Sequence, residues 1–178
     1  MSRSAGASLW HLVTRFFGSL RPGPPPLHDE AWALEHLLSG ERRIWARMSN
    51  PDRRHAVGVG RAVVAELDRD ATRPVVAAAL LHDSGKVVSG LRTPARVGAT
   101  VLWAIADEAK ADHWIEAGGR VRRRFGQYRR HPAIGAELLA EAASDPLTVA
   151  WAREHHQPPE TWTVPAEIAT VLKACDDD

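Results

Sequence analysis

The chain has 178 residues, of which 44% are hydrophobic and 25% charged, a composition typical of one globular domain, with or without a short appendage. Twenty-three basic and 22 acidic residues give a net charge of +1, which excludes a protein that works through bulk positive charge. The single cysteine, Cys175, excludes a disulfide scaffold and a cysteine-built zinc site. Since the chain also has nine histidines, any metal would be bound by imidazole and carboxylate groups.

The first 26 residues are predicted to form an appendage to the domain. Residues 9–20 place apolar side chains at helical spacing, which predicts an amphipathic helix. The proline-rich stretch 21–26 predicts a stiff, extended linker. The helix either folds back onto the domain or contacts a membrane surface or a partner protein through residues 8–20. No apolar run reaches the about 18 residues that span a bilayer, and no cleavable signal pattern is present, so we expect a cytoplasmic protein.

Residues 27–178 are predicted to form one all-α domain. Alternating apolar and polar positions, which would indicate strands, are nearly absent. Prolines at the starts of several apolar periodic segments are typical of first helical turns, and Ser84 and Gly85 are predicted to stop the fourth helix. Helices are predicted over residues 27–38, 41–48, 52–68, 74–83, 94–110, 113–125, 132–143, 146–155 and 165–175.

Several histidines and aspartates lie at or near the ends of these predicted helices. The set comprises His55, His82, Asp83, His131, His155, His156 and Asp176. Side chains on facing helices can converge and build a metal site in a helical bundle. An aspartate within such a set can bridge two ions, and two ions about 3.5–4 Å apart can activate a water molecule and stabilise the leaving oxygen of a phosphate ester.

A lone histidine at a helix end is more often a surface residue that complements the helix dipole. We apply this interpretation to His11, His28, His36 and His113. It fits the pair His82–Asp83 less well, because seven apolar residues, 75–81, precede that pair. Lys86 follows one turn later, where it could contact an anionic oxygen.

The order of these residues resembles the HD superfamily of metal-dependent phosphohydrolases. The stretch Leu80-Leu81-His82-Asp83-Ser84-Gly85-Lys86 is similar to the family signature, in which an apolar helix ends in His-Asp and is followed by a small residue, glycine and lysine. His55 matches the first histidine of the family, and Asp176 matches its closing aspartate. The resemblance covers residues 52–176 and implies a single HD-type helical bundle.

Within the superfamily, the spacing looks like that of the HD-GYP branch, the cyclic-dinucleotide phosphodiesterases. That resemblance rests on His131-Pro132, Gly135, Leu138-Leu139 and the pair His155-His156. It implies that His55, His82, Asp83 and Asp176 hold one metal ion, with Asp83 bridging, and that His131, His155 and His156 hold the second. Lys86 would contact the bridging water or the substrate phosphate.

The chain departs from the HD-GYP pattern at two places. After His156 it continues Gln157-Pro158-Pro159-Glu160-Thr161-Trp162 and lacks the Gly-Tyr-Pro motif, so activity on a cyclic dinucleotide does not follow from the resemblance. Asp176 lies near the end of the sequence, where Asp177 or Asp178 could replace it as a ligand.

Six arginines fall within residues 120–130: Arg120, Arg122, Arg123, Arg124, Arg129 and Arg130. They form either a solvated helix face, a wall that binds substrate phosphate, or a patch for nucleic acid or acidic lipid. Arg129 and Arg130, nearest to His131, are the better candidates for substrate binding. Binding to nucleic acid is not expected.

The leading hypothesis is a phosphomonoesterase or phosphodiesterase that acts on a small phosphorylated, nucleotide-like substrate. It would use two divalent ions such as Mn, Fe or Mg, with Asp83 and Lys86 in catalytic roles. Two alternatives stay open: an HD-fold di-iron oxygenase and a non-catalytic regulator that binds a nucleotide. The sequence does not indicate an oligomeric state.

Overall fold

A computed structural model of the protein describes residues 23–91 and 108–177. Within these ranges no strand is present, which confirms the all-α prediction. The α-helices in chain order are α1 (Leu27–Glu35), α2 (Ser39–Trp45), α3 (Asn50–Leu67), α4 (Arg73–Leu81), α5 (Lys86–Ser89), α6 (Glu108–Glu116), α7 (Arg120–Arg129), α8 (His131–Glu141), α9 (Pro146–Glu154) and α10 (Ala166–Asp177). Short 3₁₀ turns lie at Asp68–Asp70 and Pro159–Thr161. The predicted helix over 9–20, most of the one over 94–110, His11 and Asp178 lie outside the described residues.

Helix α4 is the centre of the bundle. Every residue from Val75 to Leu81 is buried, as expected for a helix that is apolar on all sides. It packs against α3, α9 and α10. Ala33 of α1 and Trp45 of α2 belong to the same core as Leu80 and Leu81, so residues before position 50 are part of the packed domain.

Local signals in the sequence explain where the helices around the site begin. The Ser49 hydroxyl accepts a hydrogen bond from the backbone N–H of Asp52, and Pro51 lies in the first turn of α3. At α9 the Asp145 carboxylate accepts from the N–H of Leu147 at 2.9 Å, with Pro146 at the first helical position. These caps fix the start of α3, which contains His55, and the start of α9, whose last residue is followed by His155.

The predicted boundary between residues 110 and 113 is wrong. One helix, α6, runs through it to Glu116, and the break falls at Gly118 and Gly119 instead. A Cβ on Gly118 would lie 2.3 Å from the carbonyl oxygen of Trp114, so the turn between α6 and α7 requires a residue without a side chain. The Gly-Gly pair was the sequence signal for this break.

The architecture brings the ends of several helices to one place. His82 follows the end of α4, His155 follows the end of α9, and His131 lies where α7 gives way to α8. His55 lies near the start of α3 and Asp176 near the end of α10. In the described part of the chain, none of the helices has both the length and the apolar character needed to cross a membrane.

Candidate metal centre

The seven predicted ligands lie together in two adjoining groups. We call them the first group (His55, His82 and Asp176) and the second group (Asp83, His131, His155 and His156). Within each group the potential ligand atoms lie within 4.8 Å of one another. His28, His36 and His113 belong to neither group.

The Asp83 carboxylate connects the two groups. Its Oδ2 lies 3.5 Å from Nε2 of His82 in the first group. Its Oδ1 lies 3.2 Å from Nε2 of His131 and 3.8 Å from Nε2 of His155 in the second group. One oxygen therefore faces each group, which is the arrangement required of a carboxylate that bridges two cations.

Three of the histidines are oriented in the same way, by a backbone carbonyl three residues earlier. Nδ1 of His82 bonds to the Ala79 carbonyl at 2.9 Å, Nδ1 of His131 to that of Tyr128 at 2.7 Å, and Nδ1 of His155 to that of Ala152 at 3.0 Å. The last carbonyls of a helix lack partners within the helix. Because a carbonyl only accepts, Nδ1 must carry the proton, and Nε2 is turned toward the carboxylates. A metal-binding histidine is fixed in its tautomer by the same kind of contact.

The first group is completed by Asp176 in the last turn of α10. Its Oδ1 lies 2.9 Å from Nε2 of His55 and 3.4 Å from Nε2 of His82. Asp177 is exposed and bonds to Nζ of Lys173 at 2.7 Å. Of these two aspartates, Asp176 is therefore the one that lies in the group.

The donor set fits divalent cations. Among the residues that the structure describes, the Nε2 atoms of His82, His131 and His155 are buried and find no hydrogen-bond partner, although each costs about 1–3 kcal/mol when left unsatisfied. All three lie within 4 Å of a carboxylate oxygen. Imidazole nitrogens that face inward suit borderline metals such as Fe and Zn, and the carboxylates beside them also suit harder ions such as Mn.

The first group holds opposite charges close together. Burial opposes the charged form of His82, but Asp83 and Asp176 outweigh it and raise the pKa of His82 to about 10. Burial likewise disfavours ionised Asp83, yet Lys86 and His82 hold the pKa of Asp83 well below its usual value. For Asp176, His82 and the hydrogen bond from His55 overcome burial and keep the pKa well below its usual value. Without metal, therefore, His82 is protonated and both carboxylates are ionised at neutral pH.

In the second group the pKa of each histidine is lowered, whereas that of His82 in the first group is raised. Burial lowers the pKa of His131, and burial together with the positive charge of His82 lowers that of His155 well below the usual value. Burial and the neighbouring His131 lower the pKa of His156 to about 4, although this residue lies at the exposed edge of the group. The second group therefore offers neutral imidazoles beside one carboxylate, a set ready to bind a cation without losing a proton.

Lys86 lies at the rim of both groups. Its Nζ forms an ion pair with Oδ2 of Asp83, one turn earlier in the chain. Burial alone would lower the pKa of Lys86, but the negative charge of Asp83 outweighs it and raises the pKa above its usual value. Nζ also lies 6.0 Å from the centre of the Tyr128 ring. The lysine is therefore positively charged beside the shared carboxylate.

The arginines of residues 120–130 do not form one surface. Arg120, Arg122 and Arg123 are exposed. Arg124 donates from Nε to the Ser89 carbonyl at 2.9 Å and from Nη2 to that of Gly90 at 2.7 Å, which caps the end of α5. Arg130 pairs with Asp112 at 3.1 Å. A substrate-binding role for Arg129 and Arg130 stays a prediction.

Sequence reasoning missed one buried residue next to the candidate metal ligands. Glu154 immediately precedes His155, and its buried carboxylate accepts the N–H of Thr163 at 2.7 Å and the Thr163 hydroxyl at 2.6 Å. The available signal was an acidic residue at the end of an apolar helix, next to the His-His pair. Its partner, Thr163, follows nine residues later, beyond a turn. No periodic pattern in the sequence indicates such a contact.

The fold and these two groups define an all-α protein with a metal centre built from the ends of facing helices. The family model described as HD domain matches residues 53–177, well over half of the chain, and the chain belongs to that family. The HD domain is that of a superfamily of metal-dependent phosphohydrolases, and the His/Asp groups fit this chemistry. No curated protein and no solved structure matches the chain significantly.

The two groups should differ in the protons they release on binding metal. Because the pKa of His82 is about 10, a cation in the first group must displace a proton at pH 7.5, whereas the histidines of the second group are already neutral. Affinity at the first group should thus rise about tenfold per pH unit from pH 7 to 9. Calorimetric titration with Mn²⁺ in buffers of different ionisation enthalpy would measure about one proton released there. Equal release at both groups, or an affinity independent of pH, would contradict this.

Proposed function

We propose that the protein is a phosphohydrolase that uses two divalent metal ions to hydrolyse a phosphate ester of a small, nucleotide-like molecule. The observation that carries the proposal is the Asp83 carboxylate, whose two oxygens face two separate sets of histidines. The first group would hold one ion and the second group the other, with Asp83 shared. Ions bound there would supply the Lewis acidity that activates water and neutralises charge on the phosphate.

Three residues of the centre keep part of their side chains exposed. His55 and Lys86 keep 30% and 17% of their side chains exposed, and His156 is exposed, whereas His82 and His155 are buried. Lys86 is positively charged beside Asp83, so we expect it to contact an anionic substrate that enters the centre. There Nζ can donate charge-assisted hydrogen bonds to a phosphate oxygen and stabilise the charge that develops as the ester bond breaks.

Metal content and hydrolysis test the proposal together. Protein purified and loaded with Mn²⁺ should contain close to two ions per chain by elemental analysis. It should also hydrolyse bis(p-nitrophenyl) phosphate or p-nitrophenyl phosphate, and a panel of nucleotides would then define the substrate. A chain that binds no divalent ion, or one that binds two and hydrolyses no phosphate ester, would overturn the proposal. Consumption of oxygen by the iron-loaded protein would favour an oxygenase instead.

Replacing Lys86 by glutamine should lower the catalytic rate and leave metal binding unchanged. The variant keeps all seven metal ligands, so we expect close to two ions per chain, but it removes the positive charge beside Asp83. The loss of this charge should lower kcat about 100-fold or more, a magnitude typical of one electrostatic donor. Lys173→Gln is the matched control, because Lys173 pairs with the exposed Asp177 and is predicted to leave kcat unchanged. A Lys86→Gln variant with wild-type kcat would contradict the assigned role.

A further inference from the structure

The segment after the His155–His156 pair is fastened to the end of helix α9. The Glu154 carboxylate accepts the N–H and the hydroxyl of Thr163, and a longer bond of 3.4 Å comes from the N–H of Val164. The Trp162 indole Nε1 donates to the carbonyls of Glu154 and Gln157, both at 3.1 Å. We call Glu154, Trp162 and Thr163 the clasp. It closes residues 155–163 into a loop that begins at two metal ligands.

The clasp is also linked to the imidazole of His155 through two successive aromatic contacts, with Trp151 between Trp162 and His155. The Trp162 ring meets that of Trp151 edge-on, with 5.6 Å between centroids. Trp151 is buried and lies 6.4 Å from the His155 ring. The side chain of His155 is therefore fixed from two directions, by the Ala152 carbonyl at Nδ1 and by the aromatic pair.

A buried carboxylate at this position is costly unless its oxygens are satisfied. Taking a carboxylate out of water is unfavourable, and the bonds to Glu154 come from neutral donors. A solvent-facing polar residue would end a helix at lower cost. The result of the arrangement is a fixed path for the chain directly after His155 and His156. The first group receives no ligand from this loop.

We propose that Glu154 is a positioning residue for the second metal ion: through the clasp it sets the orientation of His155 and His156. The inference rests on the proposed two-metal function. It also gives a role to Gln157-Pro158-Pro159-Glu160-Thr161-Trp162, the stretch that replaces the Gly-Tyr-Pro motif in this chain. Outer residues that orient metal ligands typically contribute about 10- to 100-fold to metal affinity.

Glu154→Met is the direct test, because methionine keeps the approximate length of the side chain but removes both oxygens that accept from Thr163. Calorimetry and elemental analysis with Mn²⁺ should show the first ion bound with unchanged affinity and the second bound about 10- to 100-fold more weakly. Thr163→Val removes only the hydroxyl donor and should weaken the binding of the second ion in the same direction. It serves as the test if the Glu154 variant does not fold. Glu160→Met, the same substitution at an exposed position of the same loop, is the matched control and should leave the binding of both ions unchanged.

The possible outcomes distinguish a failure of this inference from a failure of the proposed two-metal function. If the wild-type chain binds fewer than two ions, the two-metal function and this inference both fail. If the wild type binds two and the clasp variants retain both affinities while their melting temperature drops, the clasp is merely structural and the inference alone is overturned. Equal weakening of both ions also overturns it, because the effect is then not specific to His155 and His156. Selective loss of the second ion supports it.

Discussion

Replacing Asp83 by asparagine should lower the metal content from close to two ions per chain to below one and reduce hydrolysis at least about 1,000-fold. Asp83 is the residue that both groups share, with Oδ2 toward His82 and Oδ1 toward His131. An amide offers one acceptor oxygen and turns an NH₂ donor toward the other group, where a cation would be repelled. The lost negative charge also weakens attraction to any ion that remains.

Two further variants make this experiment specific. Asp177→Asn changes an exposed aspartate at the end of α10, next to Asp176, and should leave metal content and rate as in the wild type. Asp176→Asn removes a carboxylate from the first group alone, so the second group should still hold one ion. Elemental analysis and hydrolysis of a chromogenic phosphodiester measure both quantities, and circular dichroism confirms that the variants fold. An Asp83→Asn protein with two ions and full activity would refute the shared role.

The residues that form the centre could be predicted because their chemistry and order are visible in the sequence. His82 and Asp83 follow a run of seven apolar residues, and a bundle has few ways to bury that run without placing its end near other helix ends. The structure indeed brings His55, His131 and Asp176 beside them. Sequence alone predicted which residues converge, but it contained no information about the carbonyls that orient them.

What could not be predicted depends on contacts between distant backbone segments. The bond that the Thr163 N–H donates to the Glu154 carboxylate spans a turn, and beside it Trp162 packs on Trp151. Arg124 is another example: it belongs to an arginine-rich stretch, yet it caps α5 across more than thirty residues. A local pattern of charge does not distinguish a capping arginine from a solvated one.

Gly85 is required at its position, as the sequence indicates, but for a different physical reason than the predicted one. The sequence predicts it to stop a helix, a role in which glycine adopts positive φ. In the structure its φ is −65°, an ordinary helical value. The glycine is required because the start of α8 approaches the turn after α4: a Cβ on Gly85 would lie 2.0 Å from the His131 carbonyl oxygen and 2.6 Å from the Gly135 backbone nitrogen.

Gly85→Ala should therefore destabilise the metal-free protein by about 3 kcal/mol, which lowers the melting temperature by roughly 6–12 °C in a chain of this size. The atoms that a methyl group meets belong to the backbone, so no rotamer change relieves the contact, and α8 must move away from the turn. His131 Nε2 lies 3.2 Å from Asp83 Oδ1, and a movement of α8 would increase this distance. The binding of the second ion should therefore also weaken. Thermal unfolding with and without Mn²⁺ measures both effects.

Gly58→Ala is the matched control for the same chemical change. Gly58 lies in the interior of α3, and in the described part of the chain no heavy atom beyond its chain neighbours and the nearby backbone of its own helix is within 4 Å of the position a Cβ would occupy. Alanine there lowers the backbone entropy of the unfolded chain without a clash, so stability should rise by about 0.5–1 kcal/mol. If the free energy of unfolding falls for Gly85→Ala and rises for Gly58→Ala, the destabilisation at Gly85 comes from the close approach of α8 to the turn after His82 and Asp83. That approach holds His131 against the shared carboxylate. A Gly85→Ala protein as stable as the wild type, with both ions bound, would show that the turn and α8 can separate without affecting the centre.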